Sequence, residues 1–203
     1  MNPFIIGFIA LSCWFDWTVK EKETAKVNCD FSLMSSKEKN ILYYINLARI
    51  NPEKFETEIL TPFLEKNKKY SKKYLHSLRK DLKQNGKTHP LRYTDELFKF
   101  AKHHAKTTGK KGKTGHNSVS FKGYKTRTKK LLKYYSIVGE NIYYGKKSPK
   151  EIVLELLIDD GIKGVGHRKN ILSNQYKYAS VSIQPHKKYT FNTVIEFGGA
   201  LNQ

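Results

Sequence analysis

Residues 139–172 decide the fold of this chain, and they read GENIYYGKKSPKEIVLELLIDDGIKGVGHRKNIL. The stretch opens with the tetrad GENI, continues through an apolar run at 150–158, and closes with GHRKNIL at 166–172. Carboxylates and an imidazole are concentrated here, with Glu140 near the start and His167 near the end. Both side-chain types bind divalent metals and transfer protons. The stretch therefore predicts a functional site as well as a core element.

The middle of the stretch predicts a buried helix. Ser148 and Glu151 have the spacing of a capping box, and Pro149 between them suits the first helical position. Gly161 is expected to end the helix. Apolar side chains lie almost all round it, which is typical of a helix without a solvent face. The acidic pair at 159–160 would then emerge at a cavity wall or a helix stop.

A second Gly-His step, Gly115-His116, lies upstream of the stretch. Folding could bring His116 and His167 together beside Glu140. Three acids compete for the place next to His167, namely Asp159, Asp160 and Glu155, the last of which would share a helical face with Asp159. The residues alone leave this choice open.

The order of these motifs resembles the CAP superfamily of cysteine-rich secretory, antigen 5 and pathogenesis-related proteins, in its compact bacterial form. The resemblance begins in the helix that contains INLARINP at 45–52 and extends to a strand near 194–198. It implies a mixed α/β protein, a three-layer α-β-α sandwich with a central, mostly antiparallel sheet. It also implies a central cleft that holds two histidines and two acids.

On this resemblance His116 and His167 are the expected metal ligands, and Glu140 and Asp159 are the expected cleft acids. Asp160 is the close rival of Asp159, and the family's usual residue at that place is Glu, so an Asp has a shorter arm. Two imidazoles could hold zinc only weakly, because structural and catalytic zinc sites use four and three protein ligands. A structural alternative is a buried hydrogen-bonded network that stabilises the sandwich.

Two functions fit such a cleft. The first is a secreted binding or effector module that engages lipid, glycan or an envelope component. The second is an extracellular hydrolase in which Glu140 or a metal-bound water acts as base. The zinc-protease, serine-hydrolase and phosphate-loop signatures are absent from the sequence. No residue pattern therefore assigns catalysis.

Positive charge dominates the chain, with 38 Lys and Arg against 18 Asp and Glu and a formal net charge of +20. The excess is uneven, because residues 97–139 contain no Asp or Glu. Such a field favours an anionic partner such as lipid or glycan, although a merely solvated surface is the simpler interpretation. No nucleic-acid motif accompanies the charge, so specific nucleic-acid binding is not expected.

An apolar run at residues 4–15 indicates a signal peptide, predicted at 1–12 with cleavage before Cys13. The run is shorter than the roughly 20 residues that span a bilayer, so an integral membrane protein is not expected. Export to the periplasm, cell surface or medium is predicted. Lipid attachment at Cys13 is the less favoured alternative, because Leu11 lies one position too late for the usual signal.

The remaining organisation is predicted as a linker at 13–34 and one CAP domain at 35–203, with a basic insertion near 64–87 that forms a partial helix. Cys13 and Cys29 are the only cysteines, so the domain must fold without internal disulfides, unlike animal and plant members of the family. A capping box at Ser35 and Glu38 starts the first domain helix.

Three further expectations concern side chains outside the main motifs. A helix after Thr94 carries His103 and His104, which are expected at the surface or core edge. Alternating residues at 179–183 and 191–197 predict a hairpin with His186 exposed in its turn. Glu196, in the last strand, is expected to point outward or to be paired.

Overall fold

The computed structural model describes residues 16–26, 32–117 and 123–202. The predicted signal peptide, the cleavage site before Cys13, and Cys29 lie outside the described residues. The α-helices, numbered in chain order, are α1 Val19–Ala25, α2 Ser36–Ile50, α3 Pro52–Phe55, α4 Thr61–Lys66, α5 Lys72–Asn85, α6 Asp95–Lys111, α7 Tyr124–Leu131, α8 Pro149–Ile158 and α9 Gly166–Leu172, with a π-helix at Glu56–Leu60 between α3 and α4. The strands are β1 Val138–Tyr144, β2 Tyr178–His186 and β3 Thr190–Gly198.

The three strands form an antiparallel sheet in the order β1-β3-β2. Side chains alternate across it, so that Val194 packs with Ala101 and Ala105 of α6, whereas Ile195 and Phe197 join the core that contains α2 and α8. Helices therefore cover both faces of the sheet. This confirms the predicted α-β-α sandwich.

Helix α8 is the buried helix that the sequence predicts. Ser148 and Glu151 form a capping box in which each side chain bonds the other residue's backbone N–H. All the apolar side chains from Ile152 to Ile158 are buried. The expected end at Gly161 is wrong by two residues, because Asp159 adopts the left-handed conformation with φ 55° and already terminates the helix. Short polar residues such as Asp tolerate that conformation better than most.

The predicted linker contains a helix that packs on the domain. Helix α1 starts at a capping box formed by Thr18 and Glu21, and its Ala25 is buried. The Asn46 Nδ2 group donates a hydrogen bond of 2.9 Å to the Ala25 carbonyl. The linker expectation is therefore wrong for these residues. Seven mostly charged residues show no apolar period, so the cap and the packing decide this helix rather than its pattern.

The basic insertion is more regular than expected. Helix α5 runs for 14 residues, with Leu78 and Leu82 buried and its lysines on the outside. Buried Arg168 donates a 2.8 Å hydrogen bond to Asp81 of this helix and another to Ser77. These contacts hold the insertion against α9.

The predicted hairpin is present as β2 and β3, but the expectation for His186 is wrong. Its side chain is buried, and the Nε2 atom is 2.9 Å from the Lys113 carbonyl oxygen. The rings of Tyr144 and Tyr189 pack against the imidazole. The segments that contain Lys113 and Tyr144, both distant in sequence, thus cover His186.

In the described part of the chain no helix has the length and apolar character needed to cross a bilayer.

Candidate functional site

A cavity of about 480 Å³ opens between β1 and the start of α9. Its wall includes His116, Glu140 and His167, so the fold brings together three side chains that the sequence singled out. Lys163 and Lys169 also line it. The cavity is thus bounded by two imidazoles and two cationic side chains.

His116 is held by the buried carboxylate of Glu140. The Nδ1–H group of His116 donates to Oε1 of Glu140 over 2.7 Å. An ionised carboxylate has no proton to give, so Nδ1 carries a proton, and in the neutral ring Nε2 is the nitrogen with the lone pair. The His116 side chain is 48% exposed, whereas that of Glu140 is fully buried. The carboxylate therefore orients an accessible imidazole.

Glu140 is an anion in spite of its burial. Burial alone would raise its pKa, but the His116 hydrogen bond and the charge of Arg127 outweigh that effect and lower it. The Arg127 Nη2 group donates to Oε2 of Glu140 and also, at 3.0 Å, to the His116 carbonyl. Both carboxylate oxygens of Glu140 are thus engaged.

Glu196 faces Glu140 from the neighbouring strand, because the two residues are direct partners in the β1–β3 register. Like charges at such positions repel. Two features relieve the repulsion. The Arg127 Nε group donates to Glu196 over 3.1 Å, and complete burial, followed by the charge of Glu140, raises the pKa of Glu196 well above its usual range. Burial and the charge of Glu140 therefore favour the protonated form of Glu196, which is buried and is paired, as expected, rather than outward.

His104 also belongs to this network, so its predicted surface or core-edge position is wrong. It is buried, and its Nε2 atom is 3.2 Å from the Gly115 carbonyl and 3.8 Å from Oε2 of Glu140. Burial lowers its pKa to about 4, so the ring is neutral at pH 7. His103, its neighbour, is exposed as expected. Adjacent residues of an α-helix point in different directions, so the side chains of His103 and His104 lie in different environments.

His167 has a carboxylate partner of its own in Asp159. The Nδ1–H group of His167 donates to Oδ1 over 2.7 Å, and the His167 backbone N–H donates to Oδ2 over 3.0 Å. Asp159 is buried, and its left-handed conformation turns it toward the loop that precedes α9. That loop ends at Val165, whose φ of 47° is strained for a β-branched residue.

The rival acids lie elsewhere. Asp160 is exposed and accepts a hydrogen bond from the Ser71 backbone N–H. Glu155 instead binds Lys147 over 2.7 Å and Tyr70 over 2.8 Å. Asp159 is thus the acid beside His167.

Side-chain amides connect the GENI motif at 139–142 to the GHRKNIL motif at 166–172. Asn141 donates a 2.9 Å hydrogen bond to the His167 carbonyl, and Asn170 donates a 2.8 Å bond to the Asn141 side chain. Arg168 is buried and donates to the carbonyls of Leu157 and Ile158. The polar residues of both motifs therefore align β1, α8 and α9 and so fix the cavity.

Arg127 and His104 are the members of the site that sequence reasoning missed. One signal for Arg127 was present, since it is the single Arg in a 97–139 segment that otherwise uses Lys. Arg suits buried bidentate pairing because its planar group offers several donors in a fixed geometry. His104 carried no comparable signal.

The donor set suits at most a weakly held metal ion. In the neutral form of each ring, Nε2 is the nitrogen available to a metal, because Nδ1–H donates to the carboxylate. In the described residues, however, no group of three or more His, Cys, Asp and Glu side chains is placed to hold a metal. Glu140 and Asp159 act as partners of the histidines instead.

Comparison with known proteins places these features in context. The family model for CAP, the cysteine-rich secretory protein family, matches residues 42–197. A comparison with curated protein sequences gave no significant match. Among solved structures, an outer surface protein from Borrelia burgdorferi is similar with a TM-score of 0.46 and 17% identity, over 62% of this chain and 88% of that chain. An extracellular protein containing an SCP domain from Bacillus anthracis is similar with a TM-score of 0.45 and 16% identity, over 73% of this chain and 50% of that chain.

Proposed function

Because this chain belongs to the CAP family, the cysteine-rich secretory protein family, we propose that it is an exported ligand-binding or effector module whose cavity is the binding site. One observation carries the proposal. His116 and His167, each oriented through Nδ1 by a buried carboxylate, line the same cavity. Two aligned, partly exposed imidazoles on a rigid support are typical of a site that binds rather than of a packing contact.

A divalent ion such as zinc is the first proposed ligand, held through Nε2 of His116 and His167. Bound zinc would add a positive charge and Lewis acidity to the cavity. With only two protein ligands and with Lys163 and Lys169 in the wall, the affinity is expected to be low. The same lysines favour a second ligand with an anionic group, such as an acidic glycan or a phosphate ester.

A hydrolase is the alternative function, and the geometry disfavours the version in which Glu140 is the base. Its oxygens are already bonded to His116 and Arg127, and its side chain is fully buried. A general base must reach the proton that it removes. Any hydrolytic role would therefore fall to the accessible imidazoles.

Export is part of the proposal and is supported by the apolar run at residues 4–15. Mass spectrometry of the protein recovered from expressing cells tests it. A mature N-terminus at Cys13 is expected, with a diacylglycerol mass on Cys13 only if the lipid-anchored alternative applies. An intact Met1 with retention in the cytoplasm would contradict export.

Calorimetric titration with zinc tests the cavity. The full chain carries Cys13→Ser and Cys29→Ser, because free thiols bind zinc. His116→Ala and His167→Ala are each expected to weaken binding at least about tenfold. His76→Ala, which removes an exposed imidazole from α5, is the matched control and should leave binding unchanged.

The outcomes separate the functions. Zinc binding that survives both cavity substitutions would overturn the metal proposal. A hydrolysis screen on the same proteins addresses the alternative, since ester or glycoside cleavage lost in both cavity variants but kept in His76→Ala would establish an enzyme.

A further inference from the structure

One end of the molecule carries a dense group of exposed cations, which we call the lysine–tyrosine tip. It consists of six lysines and one tyrosine, all exposed: Lys110, Lys111, Lys113, Lys146, Lys187, Lys188 and Tyr189. We infer that this tip docks the protein onto the surface of an anionic phospholipid bilayer. The inference rests on the proposed function only for export, which gives access to a membrane surface, and not on the cavity.

Backbone contacts make these residues one surface. The Lys187 N–H donates to the Gly109 carbonyl over 3.1 Å, and the Lys113 carbonyl lies 2.9 Å from His186 Nε2. The Gly145 N–H donates to the Phe191 carbonyl over 3.0 Å, which brings the segment that contains Lys146 to the hairpin. The end of α6, the hairpin turn and the end of β1 thus meet.

Gly109 explains how closely α6 approaches the hairpin. A Cβ atom at this position would lie 2.1 Å from the Pro185 carbonyl oxygen. Any larger residue would push the helix away and separate its last lysines from those of the turn. The lysines are therefore held together by the fold, although each of them repels the others.

The positive charge of the tip is not neutralised locally. No salt bridge to any of its six lysines is found in the described residues, although neighbouring Lys147 binds Glu155 over 2.7 Å. The segments 97–139 and 184–191 contain no Asp or Glu. Concentrating unpaired cations costs folding free energy, so an anionic partner that relieves the repulsion gains affinity.

The exposed aromatic ring argues for lipid. Tyr189 is 46% exposed, and its ring is backed by Tyr144 and His186 at centroid distances of 5.3 Å each. Tyrosine beside lysine is typical of residues at the headgroup level of a bilayer. Lys187, Lys188 and Tyr189 project from the hairpin turn, which suits a flat surface, whereas small sugar ligands are usually held in concave sites.

Co-sedimentation with vesicles tests the inference. The full chain is mixed with vesicles of equal phosphatidylglycerol and phosphatidylcholine, or of phosphatidylcholine alone, at low and high salt. Each lysine near an anionic surface contributes about 1 kcal/mol, or about fivefold in partitioning. Lys187→Gln with Lys188→Gln should therefore reduce binding to anionic vesicles about 25-fold, and high salt should abolish it.

Two further variants sharpen the result. Lys80→Gln with Lys83→Gln removes the same charge from the exposed side of α5 and should change binding less than about threefold. Tyr189→Ser keeps every charge and should weaken binding several-fold if the ring reaches the headgroups. Circular dichroism confirms that each variant is folded.

Three outcomes would overturn the inference. Equal losses in the two double variants would indicate a diffuse charge effect. Equal binding to both vesicle types would indicate that the N-terminal apolar run alone binds the membrane. Failure to bind vesicles together with salt-sensitive binding of dextran sulfate would make the partner an acidic polysaccharide. None of these results bears on zinc binding in the cavity, so the two proposals fail separately.

Discussion

Replacing Glu196 by Gln should remove a pH-dependent loss of stability from the domain. Glu196 is fully buried opposite Glu140, and its raised pKa means that the folded protein keeps a proton that the unfolded chain releases. A group of this kind contributes stability that is complete below the unfolded pKa of about 4.3 and is lost as the pH rises toward the folded pKa. A glutamine stays neutral at every pH.

Gln also fits the existing contacts. Its amide nitrogen can donate to Glu140 as the protonated acid does, and its carbonyl oxygen can accept from Arg127 Nε, now 3.1 Å from Glu196. The substitution therefore keeps both of these contacts. Between pH 5 and pH 7 the wild-type protein should lose roughly 1 kcal/mol of unfolding free energy per pH unit relative to Glu196→Gln, for as long as the pH stays below the folded pKa.

Urea unfolding of both proteins at pH 5, 6 and 7 measures the effect. The matched control is Glu151→Gln, which removes a carboxylate whose pKa the Ser148 side-chain and backbone hydrogen bonds lower. That carboxylate is ionised in both states above pH 5, so its loss should cost a constant amount of about 1 kcal/mol across the range. A wild-type to Glu196→Gln difference that does not change with pH would refute the protonated Glu196.

Two further predictions concern the carboxylate partners. Arg127→Met should lower the free energy of unfolding by about 3–5 kcal/mol at pH 7, because it leaves the buried charge of Glu140 without its cation. Equilibrium urea unfolding measures this change, and a loss below about 1 kcal/mol would contradict the network. Asp159→Asn should fold normally, since Asn tolerates the left-handed conformation at this position. It should weaken zinc binding about 10- to 100-fold, because His167 loses the carboxylate that orients it. Calorimetry measures the affinity, and an unchanged value would show that Asp159 does not orient the imidazole.

The lysine–tyrosine tip could not be located from the sequence. A charge count locates an excess of lysine in 97–139 but cannot say which lysines meet. Lys110 and Lys187 lie far apart in the chain and are brought together by contacts between α6 and the hairpin, among them the hydrogen bond from the Lys187 N–H to the Gly109 carbonyl. A particular docking surface is therefore a tertiary property, whereas a preference for anions is a compositional one.

The sequence by itself determined the elements whose signals are local. Capping boxes at Ser35 and Ser148 and the alternation of β3 predicted the helices and the hairpin correctly, because cap hydrogen bonds and side-chain periodicity operate within a few residues. The order of the motifs likewise singled out His116, Glu140 and His167, which the fold brings to one cavity.

Only the tertiary structure decided which side chains surround those residues. Asp159 rather than Asp160 meets His167, because the helix ends two residues earlier than its glycine suggested. Arg127 and Glu196 meet at Glu140 through strand register and helix packing, and long-range contacts of this kind leave no periodic trace in the sequence. Burial and the neighbouring charges then determine the protonation of the network, since together they lower the pKa of Glu140 and raise that of Glu196.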